Sequence, residues 1–460
     1  MNHFDLIIIG GGPAGYLAAE RAAEGGFSVA LFERRSLGGV CLNEGCIPTK
    51  SLLYSAKLYS GALHGEAYGV RAEGISIDHA QVIKRKNEVI SMLVSGVRYA
   101  LKSKKVTVVE AAAEITGKSA DGFTVKAIRS DEAASGAEDI YTADRLLIAT
   151  GSSVIVPPIR GMAEGIKSGL VVTSREILDI PKVPKKLIVV GGGVIGLEMA
   201  DYFATVGSEV VVIEMLDKIA GPFDAELSAN LQKNMEAKGV VFRLGGGVTE
   251  ITASGVVVGT ESIEADTVLV SIGRRPATER AGIESIGVHT EKGAVVTDAH
   301  MCTNIPGVYA AGDVNGKLML AHTAYREAEV AVNHMLGKAD HMRYDAIPSV
   351  IYTYPEVASV GETAETAAEK GLRVRVKTLP MNYAGRYVAE NEKGNGLCKL
   401  IVDESANRVV GVQLIGNYAS EIILSAGIMT DLGLPVGTLK ELVFPHPTVG
   451  EIIRETLFAE

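Results

Sequence analysis

The sequence LIIIGGGPAG at residues 6–15 returns in near-identical form as LIVVGGGVIG at residues 187–196. After each copy come a helical pattern and a second apolar strand that ends in an acid, Glu33 and Glu214 respectively. The acid follows the last glycine of the motif by 18 positions in both copies (33 − 15 and 214 − 196). A strand, a GxGxxG loop, a helix, a strand and an acid at this offset predict a dinucleotide-binding βαβ unit.

The glycines of this motif have separate physical roles. The first permits a tight turn, the second lets the backbone approach a pyrophosphate, and the third lets the helix pack on the strand. The helix N-terminus then attracts the phosphates. Glycines in an ordinary strand-to-helix turn explain one copy but not two with the same acid offset, so we predict two bound dinucleotides. In order, the glycines are Gly10, Gly12 and Gly15 in the first copy, and Gly191, Gly193 and Gly196 in the second.

The two acids indicate which nucleotides bind. Glu33 and Glu214 are each placed to accept hydrogen bonds from ribose hydroxyls, and a carboxylate there repels a 2′-phosphate. The residues after Glu214, at 215–217, include no arginine that would attract such a phosphate. The second site is therefore predicted to bind NAD rather than NADP. The alternative is that Glu214 is a solvated strand end.

The bulk composition narrows the class of protein. The chain has 460 residues, of which 47% are hydrophobic, a length and apolar content typical of several packed domains. A net charge of −10 argues against nucleic acid or an anionic membrane as partner. Four cysteines are too few for a secreted disulfide scaffold. With no apolar run long enough to cross a membrane and no leader or lipidation motif, we expect a cytoplasmic protein.

The predicted fold class is α/β, with two Rossmann-like dinucleotide-binding domains and a C-terminal α+β domain. Strand-like runs at 145–149 and 267–272 follow the two nucleotide units. From about residue 343 the chain alternates strand-like and helical runs and has no nucleotide motif. The runs in this last region are strands at 374–379, 398–402 and 409–415, and helices at 420–431 and 448–458.

Two cysteines lie five positions apart, Cys41 and Cys46, in the segment GGVCLNEGCIPTK at residues 38–50. In a straight α-helix such residues have Cα atoms roughly 8.7 Å apart, whereas a disulfide needs less than about 7 Å. If the two bridge, the turn between them must be distorted, which Gly45 and Pro48 would suit. A redox-active pair is favoured over two unrelated thiols or half a metal site. Because no second Cys/His cluster exists, we expect no metal site.

Near the far end, His446 lies between two prolines, with Glu451 five positions later. The prolines fix an extended backbone that projects the imidazole. A carboxylate on one ring nitrogen fixes the tautomer and raises the basicity of the other. Taken alone, such a pair is more often structural than catalytic.

The segment around the two cysteines resembles the active-site segment of the pyridine nucleotide-disulfide oxidoreductases, most closely that of the dihydrolipoamide dehydrogenases. Further blocks of similarity extend this resemblance over essentially the whole chain. These blocks are ATG at 149–151, GRRP at 273–276, YAAGD at 309–313, YPEVA at 354–358 and HPTVGE at 446–451.

The resemblance implies FAD in the first nucleotide unit, NAD in the second, and a homodimer formed through the C-terminal region. Cys46 then lies against the flavin, and Cys41 is the outer thiol that exchanges with substrate. His446, oriented by Glu451, deprotonates the incoming thiol in the partner subunit's active site. The implied domains are an FAD-binding domain at 1–148, an NAD-binding domain at 149–272, a central domain at 273–342 and an interface domain at 343–460.

Further cofactor positions are carried over residue by residue. Lys50 and Glu198 match a pair beside the flavin and the nicotinamide. Asp313 matches the acid that binds the ribityl chain of FAD. The remaining matches are Thr150 and Gly151 at the FAD site, Ala113 and Ala321 as backbone contacts to FAD, and Val248 and Gly273 lining the NAD site.

The implied activity is oxidation of dihydrolipoyl groups through a Cys41–Cys46 disulfide and FAD, with NAD⁺ as hydride acceptor. The lipoyl group would come from a protein of a 2-oxoacid dehydrogenase or glycine-cleavage complex. One alternative is another flavin disulfide reductase, although Glu214 disfavours glutathione reductase, and a tail lacking a cysteine pair disfavours mercuric and thioredoxin reductases. A second is a protein that serves chiefly as a docked component of such a complex.

Polar residues outside these motifs are predicted to have ordinary roles. Asp201 and Glu209 are expected to be solvated surface acids. Cys302 and Cys398 are expected to be packed thiols. His322 is expected to contribute only backbone near the flavin.

Overall fold

The computed structural model describes residues 2–129 and 139–459. Its strands are β1 Asn2–Ile9, β2 Val29–Phe32, β3 Thr107–Val109, β4 Ala112–Ser119, β5 Gly122–Ile128, β6 Ile140–Ile148, β7 Ser152–Val154, β8 Val171–Thr173, β9 Lys186–Val190, β10 Glu209–Glu214, β11 Val241–Leu244, β12 Val248–Thr252, β13 Gly255–Val258, β14 Glu261–Glu264, β15 Thr267–Val270, β16 Arg274–Pro276, β17 Thr290–Glu291, β18 Ala294–Val295, β19 Val308–Ala310, β20 Ser349–Ile351, β21 Glu356–Gly361, β22 Val374–Pro380, β23 Leu397–Asp403 and β24 Arg408–Gly416. Its α-helices are α1 Pro13–Glu24, α2 Gly39–Glu44, α3 Cys46–Leu63, α4 His79–Ser103, α5 Met162–Ser168, α6 Val194–Thr205, α7 Ala225–Ala237, α8 Ala321–Met335, α9 Ala364–Glu369, α10 Gly385–Glu390, α11 Ala419–Leu432, α12 Val436–Lys440 and α13 Glu451–Phe458.

The chain divides into two compact units. The first comprises Met1–Pro48, Lys84–Ile155 and Gly273–Arg343, and the second comprises Thr49–Ile83, Val156–Ile272 and Tyr344–Glu460. Each unit contains one of the two glycine motifs. The predicted α/β architecture with two dinucleotide-binding folds is confirmed.

In the first unit, β3, β2, β1 and β6 form a parallel sheet, and β19 pairs with β6 in the same direction. Strand β1 is central, and its residues Leu6 to Ile8 are fully buried. This explains why the strand is a continuous apolar run rather than an alternating one. Antiparallel strands β5 and β4 extend the sheet beyond β6. Because β5 pairs with β6, the strand predicted at 145–149 begins earlier, at Ile140.

The second unit repeats this arrangement around the second motif. Strand β9 is flanked by β10 and β15, and all three run parallel, just as β1 is flanked by β2 and β6. Helix α6 follows β9 as α1 follows β1. The internal repeat in the sequence is therefore a repeat of structure.

The C-terminal part of the second unit is an antiparallel sheet in the order β20-β21-β24-β23-β22. Helices α11 and α13 cover it and share its apolar core. The predicted strands and helices of this region are confirmed, with one shift. The helix predicted over 448–458 begins at Glu451, because residues 446–450 form a turn in which the Glu451 carboxylate accepts the Thr448 N–H at 2.7 Å.

One sequence-based expectation is wrong. Asp201 is not a solvated acid: it is 4% exposed, receives the Lys238 ammonium at 2.6 Å, and accepts the Tyr354 N–H at 3.0 Å. It is buried because α6 is enclosed along its length, with a run of buried residues from Gly196 to Phe203. In contrast, Glu209 is exposed, as predicted.

A buried ion pair joins α7 to the C-terminal sheet. Asp224 is 1% exposed, pairs with the Lys399 ammonium at 2.9 Å, and caps α7 by accepting the Glu226 and Leu227 N–H groups.

We expect Asp224→Ala to reduce stability by about 3–5 kcal/mol, since it removes the cap and leaves a lysine buried beside only one acid. Thermal and urea midpoints would measure this loss. Glu226→Ala is the matched control: Glu226 also contacts Lys399 but is half-exposed, so a change below about 1 kcal/mol is expected. Equal losses in the two variants would contradict the assignment.

Within the described residues, no helix is both long and apolar enough to span a membrane.

Candidate active site

The first glycine loop is shaped by contacts within the chain itself. Gly10 has φ +109°, and a Cβ there would lie 2.2 Å from the Ala149 carbonyl oxygen. A Cβ at Gly15 would lie 1.8 Å from the Gly10 carbonyl oxygen. The strand and helix therefore meet too closely for any side chain at these two positions.

The middle position of each motif has a different requirement. A Cβ at Gly12 would approach only the Gly39 Cα, at 3.8 Å, and one at Gly193 would meet no described atom within 4 Å. The described chain therefore does not itself demand glycine at Gly193. A side chain at Gly12 or Gly193 would fill the space in which a pyrophosphate bound at the N-terminus of α1 or α6 would lie. The two glycines therefore fit the predicted dinucleotides.

Each acid that is predicted to bind a ribose is hydrogen-bonded to its own glycine loop. Glu33 accepts the Gly11 N–H at 2.8 Å on one carboxylate oxygen and the Arg35 N–H at 2.7 Å on the other. Glu214 does the same with the Gly192 N–H, at 2.6 Å, and the N–H of residue 216, at 2.9 Å. Each oxygen keeps a second lone pair for a ribose hydroxyl. Glu214 is thus not a loose solvated strand end.

Asp313 begins a short 3₁₀ turn that follows the end of β19 after two intervening residues. Its carboxylate accepts the Ser152 hydroxyl, and the same hydroxyl accepts the Arg274 Nε–H at 2.7 Å. Arg274 also donates to the Ser152 carbonyl oxygen at 2.8 Å. The turn before Asp313 is held by Glu327, fully buried in α8, which accepts the Gly312 N–H at 2.6 Å. Asp313 is therefore fixed from both sides.

Other predicted FAD positions also lie in the first unit. The buried Thr150 hydroxyl has no hydrogen-bond partner among the described residues, as expected of a group that faces a polar ligand. Gly151 follows it with φ +73°. Ala113 is buried in β4, and Ala321 is the first residue of α8, where backbone N–H groups lack helical partners.

The two predicted NAD-lining positions differ in kind. Val248 begins β12 and packs its side chain into the core, so any contact with a nucleotide would come from its backbone. Gly273 follows β15 with φ +124°. That position corresponds to the carboxyl edge of the parallel sheet, where nucleotides bind in such folds. Both assignments stay predictions.

The helix that would carry both cysteines is broken between them. Helix α2 contains Cys41 and ends at Glu44, and α3 begins at Cys46. Between them Gly45 has φ −150° and ψ −105°, and a Cβ there would lie 3.2 Å from the Val40 carbonyl oxygen. The distortion that a Cys41–Cys46 bridge requires is therefore present at the predicted residue. Both side chains are half-buried.

Helix α3 also carries Lys50, which pairs with Glu198 of α6. The ammonium lies 2.9 Å from both carboxylate oxygens, and Glu198 is 3% exposed. Glu198 additionally accepts the Tyr352 N–H at 2.9 Å, while the Tyr352 ring lies over the ammonium, 4.3 Å from the nitrogen to the ring centroid. The predicted pair is thus formed, with a tyrosine holding both members.

His446 and Glu451 also come together. Nδ1 lies 2.8 Å from the carboxylate, and the His446 side chain is 76% exposed. Burial alone would raise the pKa of Glu451, but the Thr448 N–H and the imidazole hold it below its usual value. A carboxylate that stays ionised fixes the proton on Nδ1 and leaves Nε2 to act as a base.

Some side chains that hold predicted site residues were not themselves predicted: Ser152 and Arg274 beside Asp313 in the first unit, and Tyr352 beside Lys50 and Glu198 in the second. Each contacts residues far away in sequence, so no local spacing could identify it, although Arg274 lies in the GRRP segment at 273–276. Among the described residues, no group of three or more His, Cys, Asp or Glu side chains is arranged to hold a metal ion.

Comparison with known proteins agrees with this geometry. Residues 4–328 match the family described as "Pyridine nucleotide-disulphide oxidoreductase", and residues 347–457 match its dimerisation domain. The chain is 38% identical to a dihydrolipoamide dehydrogenase of Chaetomium thermophilum, covering 99% of this chain and 90% of the relative. It is also 38% identical to dihydrolipoyl dehydrogenase 3 of Pseudomonas putida, covering 99% and 97%.

Solved structures show the same fold over the whole chain. LpdA from Mycobacterium tuberculosis superposes with a TM-score of 0.89 at 26% identity, and 99% of each chain is covered. The HOCl-induced flavoprotein disulfide reductase RclA from Escherichia coli, solved as a Cu(II) complex, gives 0.87 at 28% identity with the same coverage.

The predicted enzyme class and cofactors are confirmed: the protein is an oxidoreductase that uses FAD and NAD. The predicted resemblance to the dihydrolipoamide dehydrogenases is likewise confirmed over nearly the full length. The chain belongs to the pyridine nucleotide-disulphide oxidoreductase family.

Proposed function

We propose that this enzyme oxidises protein-bound dihydrolipoyl groups with NAD⁺. The observation that carries the proposal is the helix break at Gly45 between two half-buried cysteines, in a chain that also builds a histidine–carboxylate base. The names of its full-length relatives support the choice of substrate. Glu214, with no arginine in the three positions after it, supports NAD⁺ as acceptor.

In the proposed reaction, Nε2 of His446 takes a proton from one thiol of the dihydrolipoyl group. The resulting thiolate attacks Sγ of Cys41, the Cys41–Cys46 bond breaks, and its electron pair leaves on Cys46. The second substrate thiol then displaces Cys41, which releases the oxidised lipoyl ring and leaves two cysteines reduced. FAD, when bound, supplies a carrier that takes this electron pair and passes it on as hydride to NAD⁺. Lys50 and Glu198 are assigned to positioning beside that carrier.

A homodimer is part of the proposal. Leu424, Ile428 and Leu432 are exposed on α11 at intervals of four residues, so they lie on one face of the helix. Val443, close to His446 in sequence, is 96% exposed. Exposed apolar side chains in a dimerisation domain support a second copy as the partner. In the family arrangement implied by the sequence, each His446 would then serve the active site of the other subunit.

The lipoyl-bearing partner, the roles of the domains and the cellular location are proposed from the same family resemblance. The lipoyl-bearing partner would belong to a 2-oxoacid dehydrogenase or glycine-cleavage complex. The functional division would be FAD binding with the redox thiols at 1–148, NAD binding at 149–272, a central region at 273–342 that completes the FAD site, and the interface at 343–460. We place the enzyme in the cytoplasm, where a reactive dithiol is kept in exchange with reduced thiols.

The test is anaerobic mixing of the purified holoenzyme with dihydrolipoamide, followed by NAD⁺ in one sample and NADP⁺ in another. We expect rapid change in flavin absorbance, and NADH formation far faster than NADPH formation. Reduction by NADH but not by dihydrolipoamide would contradict the substrate and point to another disulfide, as in the flavoprotein disulfide reductase to which the chain is similar. Turnover by the purified enzyme without any other protein would also exclude the alternative that the chain serves chiefly as a docked component of a larger complex.

A further inference from the structure

Asn43 lies between the two redox cysteines, and the proposed reaction gives it no role. It is half-buried in α2, the helix that carries the first of these cysteines. Its Nδ2 donates to the carbonyl oxygens of Leu37, at 3.0 Å, and Gly39, at 2.8 Å. Its Oδ1 accepts the Ser36 hydroxyl at 3.1 Å. Both N–H groups of the side-chain amide and its oxygen are therefore bonded to the turn at 36–39.

Helix α2 depends on contacts with the rest of the chain. It has 6 residues, too few to be stable alone, and its N-cap, Gly38, has φ +92° and no side chain to cap it. Of these residues, all of which the structure describes, only Leu42 is buried. Glu44 adds an ion pair with Arg35 at 2.5 Å, but both side chains are partly exposed, so the pair contributes little. The Asn43 amide is therefore a main anchor of α2.

The turn that Asn43 binds is itself joined to the first glycine loop. The Gly38 N–H donates to the Gly11 carbonyl oxygen at 2.8 Å. Gly39 has φ +56°, and a Cβ there would lie 2.7 Å from the Cα of Gly12. A side chain does not fit at this contact, so the two backbones lie directly against each other. A hydrogen bond and a backbone contact therefore connect the anchor of α2 to the loop that is predicted to bind FAD.

The chemistry of these contacts requires an amide at position 43. Leu37 and Gly39 each present a carbonyl oxygen, so the side chain between them has to supply two donors. Aspartate has the same shape, but when ionised it has no donor and places a negative charge against two carbonyl dipoles. Alanine removes the amide and adds no charge. The two substitutions at Asn43 therefore remove the same donors in different ways.

We propose that Asn43 is a positioning residue that couples the helix of the outer thiol to the FAD loop. Each turnover of the proposed reaction opens the Cys41–Cys46 disulfide and closes it again, so Cys41 has to return to the same place. By holding α2 on the turn at 36–39, Asn43 keeps the two sulfurs at a high effective concentration. The same bonds hold the turn against the glycine loop, so retention of FAD depends on them as well. This inference rests on the redox disulfide of the proposed function.

The test measures the thiol–disulfide equilibrium of the holoenzyme rather than its turnover. The protein is equilibrated anaerobically in buffers of reduced and oxidised dithiothreitol, quenched with acid and alkylated, and mass spectrometry quantifies the peptide that contains both cysteines. We expect Asn43→Ala and Asn43→Asp each to shift the equilibrium toward the dithiol by about tenfold, as loss of one or two hydrogen bonds would. For this two-electron couple the shift is about 30 mV. Release of FAD, followed by flavin fluorescence in dilute guanidinium, should also be about tenfold faster.

Ser36→Ala is the matched control, because it removes the hydroxyl bonded to Oδ1 of Asn43 and leaves both Nδ2 donations in place. Its equilibrium and its FAD release should stay within about twofold of wild type. Asn43→Ala, which adds no charge, is the variant that decides. A wild-type equilibrium in that variant would overturn the proposal even if FAD left faster, because the amide would then support only the loop. Dithiothreitol opens the disulfide directly, so the result does not depend on whether dihydrolipoamide is the substrate.

Discussion

Replacement of Cys46 by serine is expected to abolish dihydrolipoamide oxidation, by about 10⁴-fold or more, while FAD remains bound. A serine can neither form the disulfide that substrate attacks nor hold the electron pair that the reaction delivers, and loss of a reacting nucleophile acts on this scale. The predicted FAD contacts come instead from the glycine loop at 10–15, Glu33 and Asp313, none of which the substitution touches. The variant should therefore keep the FAD content of the wild type while losing its turnover.

Steady-state NADH formation together with flavin absorbance after denaturation would measure both quantities. Cys302→Ser is the matched control, since Cys302 is another half-buried thiol of the same unit, in contact with His334 and without a predicted role at the site. Its turnover should stay within about twofold of wild type. Substantial turnover by the Cys46 variant would remove the inner-thiol role, whereas loss of FAD would mean that the substitution disturbs the fold.

Replacement of His446 by glutamine should lower kcat by about 10²–10⁴-fold, the usual contribution of a positioned general base. Glu451→Gln should cost less, because the imidazole survives and only its orientation and charge partner are weakened. The lowered pKa of Glu451 keeps its carboxylate ionised as the pH falls, so the carboxylate should hold the imidazole in place well into the acid range. The pH profile of kcat/KM for the three proteins would check this order.

A subunit-mixing experiment decides whether His446 works across a dimer. A Cys41→Ser chain and a His446→Gln chain should each have little activity, but a mixed dimer would have one site with both groups intact. Random mixing in equal amounts yields half mixed dimers with one complete site of two, so about a quarter of wild-type activity should return. No recovery, in a sample shown to contain mixed dimers, would place His446 in its own subunit's site or outside the chemistry.

The parts of the structure that were predictable are those encoded locally. A strand, glycine turn and acid lie within one βαβ unit, and their spacing depends on chain geometry that is the same in any fold. For this reason the loops at Gly10 and Gly191, and the acids Glu33 and Glu214, lie where the sequence places them. The same holds for the helix break at Gly45 and for the His446–Glu451 pair, whose members are five positions apart.

Long-range contacts were not predictable in this way. Ser152, Arg274 and Asp313 form one network, although more than a hundred positions separate Ser152 from the other two. Asp201 was assigned to the surface because nothing near it in sequence indicates a partner, yet it binds Lys238 and the backbone of Tyr354. A buried acid is tolerated only when such partners exist, and their approach is a property of the assembled fold.

The hydrogen bonds between Glu214 and its glycine loop constrain how this enzyme could change over evolution. Glu214 serves as acceptor for two backbone N–H groups, those of Gly192 and Leu216, in addition to its expected role with the ribose. Replacing Glu214 to admit a phosphorylated coenzyme would remove the acceptor of both N–H groups at once and loosen the turn that is predicted to bind the pyrophosphate. A lineage that switched coenzyme would have to exchange the loop together with the acid. In this chain, a change of coenzyme preference at Glu214 would therefore also change how well the loop is held in place.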